Sequence, residues 1–305
     1  MTKRRSLILG VIVVLLATAS ALYLSVGRQV PQRPVARTRP TAPAVRGASV
    51  TPTTAPSASP SPTALADSAY LAVLPQRPAS FAASFAGSQL DSSIWGTCYP
   101  QADPSVGCTN FGNSDEFEWY LPSQDQVSGG VLRLIAQQEQ TAGLAQDGSP
   151  QTYGCRSGLV TTYPGFHFQY GFLQVVAKIP HAVGLWSALW LAAADQQWPP
   201  EVDMIENWGV DQESAAFLHP YPTSLGYDKG FIPVSLTSDW QTFSLYWTSS
   251  EMEFFVGSTL IMTVTSNVPQ QEMYFVANVA EYEPAAPGNC SGELDIQSLK
   301  YWPLS

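Results

Sequence analysis

From residue 81 onward, apolar and polar positions alternate with a period of two, interrupted every eight to twelve residues by Gly, Pro, Ser or Asn. Side chains on a strand point to opposite faces in turn, so this pattern predicts strands with one buried face. Val131-Leu132-Arg133-Leu134-Ile135-Ala136 alternates after a turn at Gly129-Gly130. The segment FHFQYGFLQVVAKIP (166–180) predicts a strand with Phe166, Phe168, Tyr170 and Phe172 on one face, continued by Gln174, Val176 and Lys178. TFSLYW (242–247), EMEFFV (251–256) and TLIMTV (259–264) predict a meander with turns at Thr248-Ser249-Ser250 and Gly257-Ser258. MYFVANVA (273–280) and ELDIQSLKYW (293–302) close the series. No segment carries a helical period of convincing length, and no tandem repeat is present. The pattern therefore predicts an all-β sandwich of two antiparallel sheets.

The first 66 residues follow a different rule. Lys3, Arg4 and Arg5 precede an apolar run from Leu7 to Val26, with Ala19-Ser20-Ala21 as a small-residue cleavage pattern. Such a run reads as a signal peptide. It is also long enough to span a bilayer, with the basic end held in the cytoplasm. Residues 1–30 are thus a signal peptide or a signal anchor, and either exports the remainder. The predicted location is extracellular, secreted or tethered to the cell surface. Residues 31–66 hold eight Pro, ten Ser or Thr and no acidic residue, a composition that cannot bury a core and predicts an extended linker. Residues 67–305 are long enough for one all-β domain.

Charge narrows the partners. From Asp67 onward the chain has six basic and 24 acidic residues, a formal charge of −18. Such a domain repels nucleic acid and anionic lipid, whereas a neutral polysaccharide is indifferent to it. Membrane contact is expected only through the N-terminal segment, and a monomer is expected. The four cysteines, Cys98, Cys108, Cys155 and Cys290, form an even set that suits two disulfides in an oxidising compartment, with three connectivities open. Cys98 and Cys108 flank a loop with Pro100, Pro104 and Gly107, which favours a local staple and leaves Cys155 with Cys290.

Candidate chemistry concentrates in GLWSALWLAAADQQWPPEVDMIENWG, Gly184 to Gly209. Glu201, Asp203 and Glu206 fall within six residues, among Trp186, Trp190, Trp198 and Trp208. On a helix these positions share no face. On a strand Glu201 and Asp203 do, and one β-bulge between Asp203 and Glu206 would bring the third onto it. Two carboxyl groups so placed can act as nucleophile and proton donor at a glycosidic bond, with the third separating their pKa values. Spacing alone leaves two alternatives open: a solvated edge strand, or oxygen ligands for a hard cation.

The stretch resembles the active-site signature of glycoside hydrolase family 16. That signature is E-x-D-x-x-E in its bulged form, preceded by G-x-W-P-A-x-W-L, here GLWSALWL with Ser187 in place of Pro. The resemblance implies Glu201 as nucleophile, Asp203 as its assistant and Glu206 as general acid/base. It also implies a β-jelly-roll whose concave face carries the cleft, and an endo-acting retaining hydrolase of β-1,3- or β-1,3-1,4-glucan. It extends over residues 81–302. YGFLQVVAKIP (170–180) is similar to the family's Y-G-x-x-E-x-R-x-K-x-P, and MYFVANVA is similar to the strand with a cleft Asn, matching Asn278.

Further site residues follow from the resemblance. The family's N-N-E-x-Q-x-Y segment reads here Ser114-Asp115-Glu116-Phe117-Glu118-Trp119-Tyr120, which makes Glu118 and the nearby Asn113 candidates for substrate binding. Trp186 and Trp208 are candidates for stacking on sugar rings, while Trp190 is open between cleft and core. His219 matches a histidine on the strand after the signature; a histidine satisfied in the core is the alternative. Asp295 resembles an acidic residue of the family's structural calcium site, and no other cofactor is implied. Departures in the segment at 114–120, at Leu159 and in the loop after Ala280 bear on the β-1,3-glucan assignment more than on the chemistry. Action on a galactan-type wall polysaccharide or transglycosylation stays open, as does a non-catalytic carbohydrate-binding protein on the same sandwich, since fold does not fix function.

Overall fold

The computed structural model describes residues 69–304, apart from 181, 210–213, 233–235, 237–238 and 283–288. The apolar N-terminal run and the Pro/Ser/Thr-rich stretch lie outside the described residues. Among the described residues no helix is long and apolar enough to cross a membrane. One short helix, α1 (Ala69–Val73), precedes sixteen strands. In chain order these are β1 (Phe81–Ser84), β2 (Glu118–Tyr120), β3 (Asp125–Ser128), β4 (Val131–Leu144), β5 (Pro150–Ser157), β6 (Leu159–Thr161), β7 (Gly171–Lys178) and β8 (Leu185–Ala193). They continue with β9 (Glu201–Asn207), β10 (Ser214–His219), β11 (Asp228–Phe231), β12 (Gln241–Trp247), β13 (Met252–Val256), β14 (Thr259–Val264), β15 (Met273–Glu281) and β16 (Ser291–Trp302).

The strands form two sheets. One has ten strands, ordered β14-β13-β12-β7-β16-β4-β5-β2, with β1 beside β16 and β3 beside β4. The other has six, ordered β11-β10-β9-β8-β15-β6. All pairings are antiparallel except that of β2 with β5. The core lies between the sheets. Leu132, Leu134, Leu173, Val175, Phe243, Leu245 and Phe254 of the larger sheet meet Leu189, Leu191, Val202, Ile205, Leu218, Phe275 and Val279 of the smaller one. Fully burying each such side chain is worth about 1.5–3 kcal/mol, so the alternation read in the sequence is what holds the sheets together.

The predicted turns are present where their chemistry requires them. Gly129 and Gly130 both have positive φ, 61° and 80°, as the two-residue turn between β3 and β4 needs. β4 runs on to Leu144, well past the predicted end at Ala136. The aromatic run at 166–172 differs from the expectation. Phe166 and Phe168 pack against the main core, but Phe172 is buried in a separate cluster with Leu74 and Trp302. Tyr170 (φ 60°) and Gly171 (φ 116°) break the alternation between them, so β7 starts out of phase with the residues before it.

Both disulfides pair as expected. Cys98–Cys108 has its Cα atoms 6.0 Å apart, and Cys155–Cys290 has them 5.8 Å apart. Cys98 and Cys108 pack with Tyr120, Leu159, Tyr274 and Val276, and Trp190 lies against them. This second cluster covers the outer face of the six-stranded sheet at its β6–β15 end. The chain-entropy model makes the longer tie the more stabilising one. Replacing Cys155 and Cys290 by alanine is expected to destabilise the domain by about 4–5 kcal/mol, against roughly 2 kcal/mol less for Cys98 and Cys108. Urea denaturation midpoints of the two double variants measure the difference.

Candidate active site

The site is built on β9, with β8 and β10 as its neighbours. Pairing with β8 matches Leu189 to Ile205 and Trp190 to Asp203, leaving Met204 without a partner. Pairing with β10 matches Ala215 to Glu206 and Phe217 to Asp203, so Ala216 faces both Met204 and Ile205. Two residues oppose one on each side: a bulge at Met204-Ile205. Met204 and Ile205 both pack into the core with Val202. Glu201, Asp203 and Glu206 consequently all stand on the outer face. His219, across from Glu201 on β10, joins them there.

These carboxyl groups are largely dehydrated. Asp203 is 2% exposed and Glu206 8%. Burial pushes Glu201 up to about 7, opposed by a hydrogen bond from Trp198 and reinforced by the charge of Glu116. Burial, then the charge of Glu201, push Glu206 up to about 8, while Trp186 and Lys229 pull the other way. Asp203, between the two, is raised well above the usual carboxylate range by burial and by both flanking carboxylates. Each glutamate has one aromatic donor. The Trp198 indole N–H donates to Glu201 Oε2 at 2.8 Å, and the Trp186 indole N–H donates to Glu206 Oε1 at 3.0 Å. His219 Nε2 lies 3.8 Å from Glu201 and 3.6 Å from Asp203, within ion-pair reach. Burial nevertheless lowers the imidazole pKa, so at neutral pH these are contacts of a neutral ring.

A chain of hydrogen bonds supports the floor. Trp190 N–H donates to Asn278 Oδ1 (2.8 Å), Asn278 Nδ2 to the Tyr120 hydroxyl (2.9 Å), and that hydroxyl to Glu116 Oε2 (3.1 Å). Asn110 and Asn113 both donate to Glu116 Oε1, at 2.9 and 3.1 Å. Glu116 is raised by burial and acts electrostatically on both Glu201 and Glu206. Beyond it opens a cavity of about 630 Å³ whose walls include Gln138, Gln140, Gln151 and Tyr153.

The candidate residues therefore sort as follows. Trp186 and Trp208 are stacked on each other, centroids 5.8 Å apart, beside Glu206. Trp190 stands on the outer face, opposite Asp203. Asn278 and Asn113 reach the site through the network around Glu116. Glu118 does not reach it: it is fully buried, with Oε2 accepting the Glu281 backbone N–H at 2.7 Å. Pairing with β5 turns it inward, and Glu116 two residues earlier takes the place expected of it. Asp295 lies among Glu293, Arg133 (3.7 Å away) and Lys178, and its Oδ1 has no hydrogen-bond partner among the described residues. Calcium takes about six to eight oxygen ligands, and Asp295 joins no group of three candidate ligands among the described residues. Such a group does form from Glu201, Asp203 and His219, with one donor atom each lying within 4.8 Å of the others. The sequence reading missed Lys229, and its signal was faint: a lone cation between aromatics, Tyr227 and Phe231.

The model of the glycosyl hydrolases family 16 matches residues 114–288. An endo-1,3-1,4-beta-glycanase of Rhizobium meliloti (EglC) is 31% identical over 208 residues, 64% of this chain and 44% of that protein. A beta-1,3-glucan-binding protein of Penaeus monodon is 31% identical over 127 residues, 35% of each chain. The chain thus spans less than half the length of either relative. Among solved structures, the catalytic domain of an endo-1,3-beta-glucanase (laminarinase) from Thermotoga petrophila superposes with a TM-score of 0.62. It is 23% identical and covers 75% of this chain and 98% of its own, a likeness of fold that makes the sandwich a jelly roll.

Two expectations follow from the geometry. Deleting Met204 should restore a regular strand with all three carboxylates still on the outer face. The variant is expected to fold, to lose about 2–5 kcal/mol with its buried side chain and, if the carboxylate row is catalytic, to retain weakened but measurable activity. Denaturation and product formation read both. The pH profile tests the electrostatics. If Glu201 must be ionised and Glu206 protonated, kcat/KM rises with pH as Glu201 ionises near about 7 and falls as Glu206 loses its proton near about 8. On an activated aryl glycoside, which needs no proton donor, Glu206→Gln should abolish the falling limb only.

Proposed function

The chain belongs to glycosyl hydrolase family 16, and on that premise we propose that it is an exported, endo-acting, retaining β-glucanase, cleaving β-1,3- or β-1,3-1,4-linkages. The observation that carries this reading is the row of three carboxyl groups on the outer face of β9, Asp203 and Glu206 buried and Glu201 half-buried. Glu201 and Glu206 have distinct aromatic donors and pKa values raised into the neutral range. Amide groups along the cavity lined by Glu116 suit the hydroxyls of a neutral polysaccharide.

The chemistry divides between the two glutamates. Trp186 occupies Oε1 of Glu206, so the acidic proton sits on Oε2 and passes to the glycosidic oxygen as the bond breaks. Glu201, its negative form favoured by the Trp198 N–H, attacks the anomeric carbon and forms a glycosyl-enzyme. Glu206, now a base, takes a proton from water, which displaces Glu201 and regenerates the starting state. Burial and both flanking acids raise the Asp203 pKa, which favours its protonated form beside Glu201. Two disulfides suit an oxidising compartment, consistent with export by the N-terminal segment and with residues 31–66 as a spacer before the catalytic domain.

A glucan-binding protein on the same fold is the second reading, favoured by the Penaeus relative. Incubation with laminarin, mixed-linkage glucan, agarose and xyloglucan decides between them. Oligosaccharides from the first two are expected; binding without products would favour the second reading, and products from agarose alone would move the assignment to galactans. Glu201→Gln is expected to reduce turnover by roughly a thousandfold or more, with unchanged melting temperature and retained binding of laminarin. Residual hydrolysis above that level would remove Glu201 from the nucleophile's role.

A further inference from the structure

The edge of the six-stranded sheet beyond the carboxylates carries Lys229, whose charge acts on Glu206 from a distance and whose setting suits a second role. Register places Lys229 of β11 directly opposite Phe217 of β10, which is itself opposite Asp203. Two pairs further on, Phe231 faces Ala215, which faces Glu206. Lys229 and Phe231 therefore stand on the same face as the catalytic row, two strands away. Strands lie about 4.8 Å apart, so roughly 10 Å separates them from it, the width of one or two sugar residues. The residue paired between Glu206 and Phe231 is Ala215, which offers only a methyl group.

Lys229 is held in place there. Its Nζ lies 4.5 Å from the centre of the Phe231 ring, 4.8 Å from that of Phe217 and 5.7 Å from that of Trp208. Aromatic faces attract a cation and restrain its flexible stem, so the charge is presented with little ordering left to lose on binding. Trp208 is stacked on Trp186, the residue that holds Glu206, which makes the cation part of the same wall as the acid. No carboxylate among the described residues forms an ion pair with Lys229. Phe231 is 68% exposed and Tyr227 60%, an aromatic rim open to solvent. In a domain with six basic and 24 acidic residues, this cation faces the cleft.

We propose that Lys229, with Trp208 and Phe231, forms a subsite beside Glu206 for a sugar residue carrying a negatively charged substituent, such as a carboxymethyl group or a half-ester of a dicarboxylic acid. The inference rests on the glucanase reading and refines its substrate class from a neutral β-glucan to one with anionic substitution. The aromatic rings take the sugar's apolar face, and the ammonium group takes the substituent by a charge-assisted hydrogen bond.

The test compares kcat/KM on a linear β-1,3-glucan with that on the same polymer lightly carboxymethylated. The native chain is expected to cleave the anionic polymer at least as well as the neutral one. Lys229→Gln should lower the anionic-to-neutral ratio about tenfold, the scale of one charge-assisted contact. Lys229→Glu should lower it further, Lys229→Arg should preserve it, and about 0.5 M salt should erase the native advantage. Lys229 is exposed on an edge strand, so the variants are expected to melt with the native protein. A ratio unchanged in Lys229→Gln overturns the subsite. So does an equal fall on both polymers, which would assign Lys229 to the protonation of Glu206. So also does a native chain that prefers the neutral polymer tenfold. A native chain inactive on both overturns the glucanase reading and this inference with it.

Discussion

Three acidic side chains at spacings of two and three cannot share one face of a regular strand, and the site depends on the single break that allows it. The bulge at Met204-Ile205 sends two consecutive side chains into the core opposite Ala216 and returns Glu206 to the outer face. Its cost is local, an interrupted ladder on both sides of β9. Its stability comes from the core, since Met204 and Ile205 are both enclosed there. Catalytic geometry and hydrophobic packing are thus the same feature seen from two faces of one strand.

On the outer face the controlling term is dehydration. Carboxyl groups this enclosed are costly to ionise unless something compensates, and among the described residues no Lys or Arg pairs with Glu201 or Asp203. Compensation is partial and asymmetric. Glu201 has the Trp198 N–H, Glu206 has the Trp186 N–H and the more distant charge of Lys229, and Asp203 Oδ2 has no hydrogen-bond partner. Three groups of the same chemical kind are thereby given different proton affinities. Such differentiation lets one act as acid while its neighbour acts as nucleophile. Glu116 extends the same field from the loop side, fixed by Tyr120, Asn110 and Asn113.

Much of this was legible along the chain. The period-two alternation gave the strands because burial of one face is what stabilises a sheet, and the Gly and Ser turns fell where positive φ or tight reversal is needed. The ten-residue Cys98–Cys108 spacing pointed to a local tie, and the remaining pair followed. Two departures share one cause. Phe172 and Glu118 each have a side chain whose surroundings come from strands far away in sequence. Phase was lost at Tyr170-Gly171, and Glu118 was turned inward by its parallel pairing with β5.

The sequence by itself determined the all-β class, the two cysteine pairs and the carboxylate row, because each rests on local spacing: alternation within a strand, loop length, or parity over six residues. Only the tertiary structure decided which acid beside Trp119 faces the cleft, which residue of β9 lacks a partner, and how the three carboxyl groups differ in proton affinity. It alone set Lys229 against Phe217 and Phe231, since cross-strand register, not distance along the chain, brings those side chains together. Burial and register are sums over several strands, and no window of sequence contains them.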